Sequence, residues 1–408
     1  MSRLCRSCGV PLLDEVVDLG MQPLSNAFVT PDRLDEMEPT YPLRVFVCRT
    51  CWLVQIQAVT PREVIFADDY AYFSSYSTTW LDHARRYAER MIAELQLSEG
   101  SKVVELASND GYLLRWFAQS GINVHGIEPT AGTAQAARAR GIDTTVAFFG
   151  SELAEQLVCE RGRADLLVAN NVLAHVPDLN DFIAGMRALL ADDGLATVEF
   201  PHLLTLLERC EFDTIYHEHF SYFSLLAVET AFERHGLRVV DVERLPTHGG
   251  SLRLHVVHEG ARIPAPAVAA LGEQERAAGL DGLPAYARFA ARIHEVKFAL
   301  LEYLLRARRA GLRIVGYGAA AKGNTLLNYC GVREELIDYV VDKNPHKVGN
   351  RLPGTHIPIR PVSTIDEDRP DVVLILPWNL ADEIVGEIAR VRGWGGRYIV
   401  AIPTVREL

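Results

Sequence analysis

The residues from Tyr216 to His219 bring two imidazoles, a carboxylate and a phenol together within four positions. General bases and hydrogen-bond donors of this kind can remove a proton and stabilise the oxygen anion that results. If the stretch is extended, His217 and His219 face one way while Tyr216 and Glu218 face the other. A polar loop with hydrogen-bonded histidines is the plainer interpretation. A hydrolytic zinc site is disfavoured, because the stretch lacks the helical spacing of such ligands.

Four of the seven cysteines form two close pairs, Cys5 with Cys8 and Cys48 with Cys51. Two such pairs, separated by a loop of this length, are typical of zinc held by four thiolates. Four sulfur ligands leave no open position for water, so this zinc is expected to be structural and not catalytic. A redox dithiol is the alternative, but no thioredoxin-like βαβ pattern surrounds either pair.

A βαβ pattern follows, in which a strand from Lys102 runs into a turn ending at Gly111 and the next strand ends at Glu128. Such a turn lets backbone amides approach a nucleoside, and an acid at the end of the second strand can accept both ribose hydroxyls. With glycine only at Gly111, the turn departs from the glycine-rich dinucleotide fingerprint. S-adenosylmethionine, which has no pyrophosphate, fits better than a dinucleotide. An α/β domain without a cofactor is the alternative.

The residues predicted to bind this cofactor lie at the carboxyl ends of strands, where open α/β sheets bind ligands. They are Glu105, Ala107, Asn109, Asp110, Gly111, Glu128, Pro129, Asn170 and Asn171.

A second α/β pattern begins near Leu312 and carries the spacing Gly316, Gly318 and Ala321, with Asp342 ending the next strand. Read alone, this pattern suggests a nicotinamide enzyme. Lys322 adds a full positive charge to the amino end of the helix, which suits a diphosphate. A glycine turn that only packs a helix on a strand is the alternative.

Several stretches together resemble the zinc-containing C-methyltransferases of deoxysugar biosynthesis. They are the cysteine pairs and residues 18–26, 105–111, 216–223, 248–253 and 316–324. The resemblance spans nearly the whole chain. It implies transfer of a methyl group from S-adenosylmethionine to carbon 3, or in some members carbon 5, of a nucleotide-linked 4-keto-6-deoxyhexose, usually dTDP-linked.

The resemblance also implies roles for individual residues. His219 is the expected base, with Glu218, Tyr216, Tyr70 and His175 orienting it or polarising the ketone. The C-terminal domain is expected to hold the nucleotide-sugar and not a nicotinamide. The residues of this domain predicted to bind the substrate are Lys322, Asn324, Gly318, Asp342 and Asn379. Gly250, from the pair Gly249-Gly250 in the middle domain, is also predicted to contact the substrate.

Three parts of an α/β chain must position these residues. We predict an N-terminal zinc-binding lobe over residues 1–67, a class I (Rossmann-like) S-adenosylmethionine methyltransferase domain over 68–260, and a C-terminal Rossmann-like domain over 261–408. The aromatic run from Asp68 to Ser77 is interpreted as a lid over the ligand. The segment from Ala261 to Gly282, rich in Ala, Pro and Gly, is interpreted as a boundary, and Pro284 to Arg309 as a long amphipathic helix.

The composition of the chain indicates which classes of binding partner are expected. The 408 residues are 49% hydrophobic and carry a formal net charge of −12 without a basic patch, which argues against nucleic acid. No apolar signal region or membrane-length apolar run is visible, so a cytoplasmic protein is expected. No sustained exposed apolar stripe requires a partner chain, and we expect a monomer. The rival functions are a nicotinamide-dependent nucleotide-sugar oxidoreductase and a non-catalytic zinc-ribbon nucleotide-binding protein.

Overall fold

In the computed structural model, which describes residues 3–65, 73–76 and 78–408, three β-sheets follow one another along the chain. Within those ranges, no helix combines the length and the apolar character that crossing a membrane requires. Most of the predicted lid, including Tyr70, falls outside the described residues.

The N-terminal lobe is an antiparallel sheet that carries the four paired cysteines near its ends. Its elements are β1 (Asp14–Gln22), β2 (Tyr41–Val47), β3 (Val54–Ile56) and the short helix α1 (Arg62–Ile65). Strand β1 pairs with β2 and β2 with β3. The fourth strand of this sheet comes from far along the chain, because Gln55 in β3 pairs with Ser221. The lobe is thereby joined to the residues directly after His219.

The middle of the chain forms a seven-stranded sheet whose central strands are parallel, with helices between them. Its elements are α2 (Thr78–Leu95), β4 (Lys102–Leu106), α3 (Leu114–Gln119), β5 (Asn123–Ile127), α4 (Ala131–Ala139), β6 (Thr144–Thr145), α5 (Ser151–Arg161), β7 (Ala164–Asn170), α6 (Leu179–Leu189), β8 (Leu190–Pro201), α7 (Leu203–Arg209), β9 (Ser221–Tyr222, in the first sheet), α8 (Leu225–Glu233), β10 (Leu237–Leu245) and β11 (Ser251–His258). The strand order is β10-β11-β8-β7-β4-β5-β6. This doubly wound arrangement brings the carboxyl ends of β4, β5 and β7 to one edge.

The segment interpreted as a boundary between Ala261 and Gly282 contains a helix, α9 (Pro266–Ala278). The same residues that suggested a boundary favour a helix here, because alanine is the best helix former. Pro266 occupies the first turn, and Gly279 ends the helix with φ +84°. Glu275 in α9 accepts hydrogen bonds from the amides of Leu225 and Leu226, which satisfies the start of α8. The helix is thus part of the middle domain's packing, and the three predicted domain limits stay predictions.

The C-terminal part begins with the predicted long helix and continues as a mostly parallel six-stranded sheet. Its elements are α10 (Leu283–Arg309), β12 (Ile314–Tyr317), α11 (Ala321–Cys330), β13 (Val340–Asp342), β14 (Ile359–Pro361), α12 (Thr364–Asp368), β15 (Val372–Ile375), α13 (Ala381–Glu387), β16 (Arg397–Val400) and β17 (Arg406–Glu407). The strand order is β14-β13-β12-β15-β16-β17. One apolar core holds Val45 of the first sheet together with Ile215 and Leu326, so the C-terminal part packs directly on the zinc-binding lobe.

Candidate active site

A cavity of about 390 Å³ opens at the carboxyl ends of β4, β5 and β7. All three parts of the chain supply its walls: Asn26 comes from the N-terminal lobe, Glu128 and His219 from the middle, and Lys322 and Lys347 from the C-terminal part. The volume lies within the range of small-molecule sites.

One end of the cavity is formed by the turn after β4, which takes an unusual backbone path. Ala107, Asn109 and Gly111 have φ values of +55°, +49° and +76°. Such angles are uncommon for residues other than glycine and concentrate at ligand sites. Glu128, only 4% exposed, accepts hydrogen bonds from the amides of Asn109 and Thr130, at 2.9 Å each. The carboxylate thus connects the ends of β4 and β5 beside the cavity.

The predicted cofactor residues divide into two groups. Ala107, Asn109, Glu128, Pro129, Asn170 and Asn171 line the cavity, whereas Glu105, Asp110 and Gly111 lie off it. Glu105 points into the protein, where burial raises the pKa of its carboxyl well above the usual range. Asp110 is fully buried against Arg140, 2.8 Å away, and Ser75. A Cβ at Gly111 would lie 3.0 Å from Ile142, so this glycine serves close packing.

The buried polar atoms at this end suit S-adenosylmethionine. The Oδ1 atoms of Asn170 and Asn171 are buried and find no hydrogen-bond partner among the described residues. Unsatisfied acceptors at the end of a central strand suit a ligand that brings N–H and O–H donors. Residues lining the cavity between Ala107 and Asn171 would hold the cofactor.

The other end of the cavity is formed by a tight turn from Tyr216 to His219, closed by a 2.9 Å hydrogen bond from the His219 amide to the Tyr216 carbonyl. Tyr216, Glu218 and His219 line the cavity, and His217 does not. His217 is 2% exposed and packs against the ring of Tyr41, 5.9 Å away between centroids. The predicted alternation was therefore wrong, because it assumed an extended backbone and the four residues form a turn.

The tautomer of His219 is set by a backbone contact. Its Nδ1 lies 2.7 Å from the carbonyl oxygen of Thr214, and only a protonated Nδ1 can donate to that oxygen. In the neutral ring, Nε2 then carries the lone pair. Burial, with His175 as the next cause, lowers the pKa of His219 well below its ordinary value. The ring is neutral at pH 7 and able to accept a proton.

Two further side chains of the predicted catalytic group lie beside His219. The ring of Tyr216 lies 4.0 Å from the His219 ring, between centroids. His175 follows β7, contacts the His219 ring and hydrogen-bonds the backbone of Glu218, and burial lowers its pKa to about 4. Four of the five predicted catalytic residues are brought together, and the fifth, Tyr70, lies outside the described residues.

The C-terminal wall of the cavity carries two half-buried lysines near the start of α11. The Nζ of Lys322 donates to Asn379 Oδ1 at 2.8 Å and lies 4.7 Å from the Trp378 ring. The Nζ of Lys347 donates to the carbonyl of Ala319 at 2.8 Å. Burial lowers the pKa of each lysine, and nearby carboxylates oppose that effect. Together with the helix amino end, this wall favours an anion.

Of the six predicted substrate residues, only Lys322 lines the cavity. Asn379 binds Lys322, and Asn324 donates to the carbonyl of Ser25 at 2.6 Å. Asp342 accepts from the amides of Ala319 and Asn344. The two glycines allow close packing within the protein, since a Cβ would lie 2.6 Å from Pro377 at Gly318 and from Thr205 at Gly250. These contacts position the wall, and direct substrate contacts from the five stay predictions.

The cavity residues with polar or aromatic side chains that were not among the predicted site residues include Asn26, Trp80, His248 and Lys347. Asn26 and His248 lie in the stretches that carry the family resemblance, so their side chains could have been nominated. Trp80 stacks on Tyr112 with ring centroids 5.8 Å apart. The helical spacing around Trp80 predicts a helix but does not indicate that its ring lines the cavity. Lys347 lies in a loop without a motif.

The four predicted zinc ligands converge at the edge of the first sheet. Their sulfur atoms all lie within 4.8 Å of one another. Tetrahedral zinc with bonds of about 2.3 Å places its sulfurs about 3.8 Å apart, which this cluster accommodates. Gln55 donates to Cys5 Sγ at 3.2 Å, a typical contact around a thiolate ligand. Cys5, Cys8, Cys48 and Cys51 would hold the ion.

Comparison with protein families divides the chain into three matches. Residues 5–66 match a zinc binding domain, residues 80–242 a methyltransferase domain, and residues 246–403 the C-methyltransferase C-terminal domain. The last match covers the region whose glycine spacing suggested a nicotinamide enzyme.

Comparison with individual proteins includes a similarity over nearly the full length. C-methyltransferase NovU from Streptomyces niveus is 38% identical over 403 residues, covering 98% of this chain and 96% of NovU. A ubiquinone biosynthesis O-methyltransferase from Rhodopseudomonas palustris (strain TIE-1) is 28% identical over 117 residues, covering 29% of this chain and 46% of that protein. Among solved structures, the 1,6-didemethyltoxoflavin-N1-methyltransferase of Burkholderia thailandensis aligns with a TM-score of 0.36 and 17% identity, covering 51% of this chain and 96% of that one.

Proposed function

Because the chain belongs to the zinc-containing family of S-adenosylmethionine-dependent C-methyltransferases, we propose that it methylates a carbon next to the ketone of a nucleotide-linked sugar. The substrate we propose is a dTDP-linked 4-keto-6-deoxyhexose, methylated at carbon 3. The observation that carries the proposal is the fixed tautomer of His219, whose Nε2 can accept a proton within the cavity that Glu128 also lines.

The ketone makes the neighbouring C–H acidic enough for a side-chain base. His219 takes the proton on Nε2, the electron pair of the C–H bond forms a carbon–carbon double bond, and the carbonyl π pair moves onto oxygen. Tyr216, next to the His219 ring, is placed to donate a hydrogen bond to that oxygen. Neutral His175 uses its one N–H on the backbone carbonyl of Glu218, so it supports the His219 ring and does not donate to the oxygen. S-adenosylmethionine, when bound, would supply an electrophilic methyl group. The sugar carbon bonds to that methyl group as the ketone re-forms, and the electron pair of the broken sulfur–methyl bond stays on sulfur, which leaves S-adenosylhomocysteine.

The two ends of the cavity divide the binding work. Glu128 is suited to accept the ribose hydroxyls of the cofactor, because it directly follows β5 at the sheet edge. Lys322 and Lys347 are suited to the diphosphate of the sugar nucleotide, since each has N–H donors beyond the one hydrogen bond found for it. Holding both reactants in one small cavity replaces a bimolecular encounter by an oriented one, an effect that reaches about 7–11 kcal/mol in favourable systems.

The test is a reaction in deuterated water with methyl-labelled S-adenosylmethionine and a dTDP-linked 4-keto-6-deoxyhexose, followed by NMR of the sugar. We expect the label on carbon 3, and exchange of the carbon 3 hydrogen when the cofactor is replaced by S-adenosylhomocysteine. Calorimetry with S-adenosylmethionine, dTDP and NADH in turn gives an independent measurement. Binding of NADH without binding of S-adenosylmethionine would contradict the proposal.

A further inference from the structure

The zinc-binding lobe contributes a side chain that contacts the turn from Tyr216 to His219, called the catalytic turn below because it carries the proposed base. The Nδ2 of Asn26 donates to the Oε1 of Glu218 at 2.6 Å, and both residues line the cavity. Asn26 occupies the tip of a β-turn closed by a 3.1 Å hydrogen bond from the Ala27 amide to the Leu24 carbonyl. An amide N–H to a carboxylate is a charge-assisted contact, stronger than a hydrogen bond between neutral groups. The turn therefore aims one fixed donor at the Glu218 carboxylate.

The position of this turn is set by the C-terminal part of the chain. Asn324, 1% exposed in helix α11, donates to the carbonyl of Ser25 at 2.6 Å. Three residues beyond Asn26, the backbones of Val29 and Arg351 exchange hydrogen bonds of 3.0 and 2.8 Å. The turn is held on both sides of Asn26, so the amide has little freedom to rotate away with its backbone.

The same helix also fixes the backbone directly before the catalytic turn. The hydroxyl of Thr325 donates to the carbonyl of Ile215 at 2.9 Å. Adjacent side chains of α11, Asn324 and Thr325, thus hold the two segments that meet in the contact between Asn26 and Glu218. The distance between donor and acceptor depends on one rigid element, as precise positioning requires.

We propose that Asn26 is a positioning residue that orients the Glu218 carboxylate toward the substrate. This inference rests on the proposed function and adds a residue outside the expected catalytic group. Glu218 lies one residue from the base and within the electrostatic reach of Lys347. A carboxylate held there can accept a sugar hydroxyl and fix the ring for proton removal, while Asn26 acts only through Glu218.

The test compares Asn26→Ala and Asn26→Asp with wild type and with Ala27→Asp. Ala27 is exposed in the same turn, so Ala27→Asp adds the same charge without facing Glu218. We expect Asn26→Ala to lower kcat for methyl transfer on the order of 10- to 100-fold, as for loss of a hydrogen bond to a charged group. The KM for S-adenosylmethionine and the zinc content should not change. Ala27→Asp should behave as wild type.

Asn26→Asp provides a second measurement, the pH dependence of activity, which would not change if Asn26 had only a structural role. Two carboxylates at this separation share one proton as the pH falls, which restores a hydrogen bond. The titratable groups that line the cavity together with Glu218 are His175, His219, Tyr216, Lys347, Tyr112, Glu128, His248 and Lys322, and all remain in the variant. The activity of Asn26→Asp relative to wild type should therefore rise as the pH falls from 8 to 6, whereas that of Asn26→Ala should stay constant.

The outcomes separate this proposal from the function on which it rests. If wild type neither exchanges the carbon 3 hydrogen nor transfers methyl, the proposed function is wrong. If wild type is active and both Asn26 variants keep kcat within twofold, the role of Asn26 is overturned. Should Asn26→Ala unfold, a relative activity of Asn26→Asp that does not change with pH would overturn it equally.

Discussion

The imidazole rings of His175 and His219 meet edge to face, with centroids 4.7 Å apart and planes at 70°. Burial is the main reason that the pKa of each ring is lowered. For His219 the nearby His175 is the next cause, because two adjacent imidazoles resist carrying charge together. The pair consequently stays neutral at pH 7, with the lone pair of His219 available.

The first prediction concerns the pH dependence of this neutral pair. A base works in its deprotonated form, so kcat/KM falls only as the pH drops through the pKa of His219 in the free enzyme. Because that pKa lies well below 6.5, we expect kcat/KM to change little between pH 7.5 and 6.5 and to fall below that range. A profile of initial rates from pH 5 to 8 measures this. Half-maximal activity at pH 6.5 or above would contradict the lowered pKa.

The second prediction compares the two histidines of the catalytic turn. His219→Asn preserves approximate shape but removes the base, so hydrogen exchange at carbon 3 should fall ~10²- to 10⁴-fold while both ligands still bind. His217→Asn is the matched control, because His217 packs on Tyr41 away from the cavity. Its exchange rate should stay near that of wild type. Near-normal exchange by His219→Asn would move the base to Glu218, His175 or Tyr70.

Glu218→Gln extends this comparison. If the carboxylate only orients the sugar or the imidazole, this variant should be milder than His219→Asn. Equal loss of exchange in the two variants would indicate that Glu218 is itself the base.

The features predicted successfully are those encoded over short distances. Val103 and Val104 before the turn, and the apolar run ending at Asn170, indicate buried parallel strands directly. The cysteine spacing predicted a cluster of four sulfurs, and the apolar period predicted a helix ending at Arg309. Each signal needs only its neighbours in the chain.

The features that were missed depend on residues far apart in sequence. No local pattern reveals that Ser221 pairs with Gln55, or that Asn26 donates to Glu218 across 192 positions. The direction of His217 depends on whether the backbone turns, and a period of two cannot distinguish a strand from a turn over four residues. Lys347 lines the cavity because of the way its loop packs, and the spacing of residues in the sequence does not predict that packing.

The third prediction tests the division of the cavity into two ligand sites. Glu128→Gln keeps the side-chain volume but removes the charge, and we expect the affinity for S-adenosylmethionine to fall about tenfold with dTDP affinity nearly unchanged. Lys322→Ala should do the reverse. Lys343→Ala is the control, because Lys343 is an exposed lysine of the same domain, 59% accessible in its side chain. Calorimetry with each ligand measures the effects, and impairment of the same ligand by both variants would contradict the two-site assignment.

The last prediction concerns the zinc-binding lobe. The purified protein should hold one zinc per chain, and Cys48→Ser should lose it, since three thiolates no longer close the coordination sphere. We expect the unfolding temperature to drop by roughly 2–4 °C per kcal/mol of lost stability. Turnover of the protein that remains folded should change less, because the cluster does not line the cavity.

Cys159→Ser, at an exposed single cysteine, is the matched control and should retain both zinc and stability. Metal analysis of protein purified without chelator, with melting curves for the three proteins, measures the effect. Absence of zinc from the wild-type protein would overturn the assignment of Cys5, Cys8, Cys48 and Cys51.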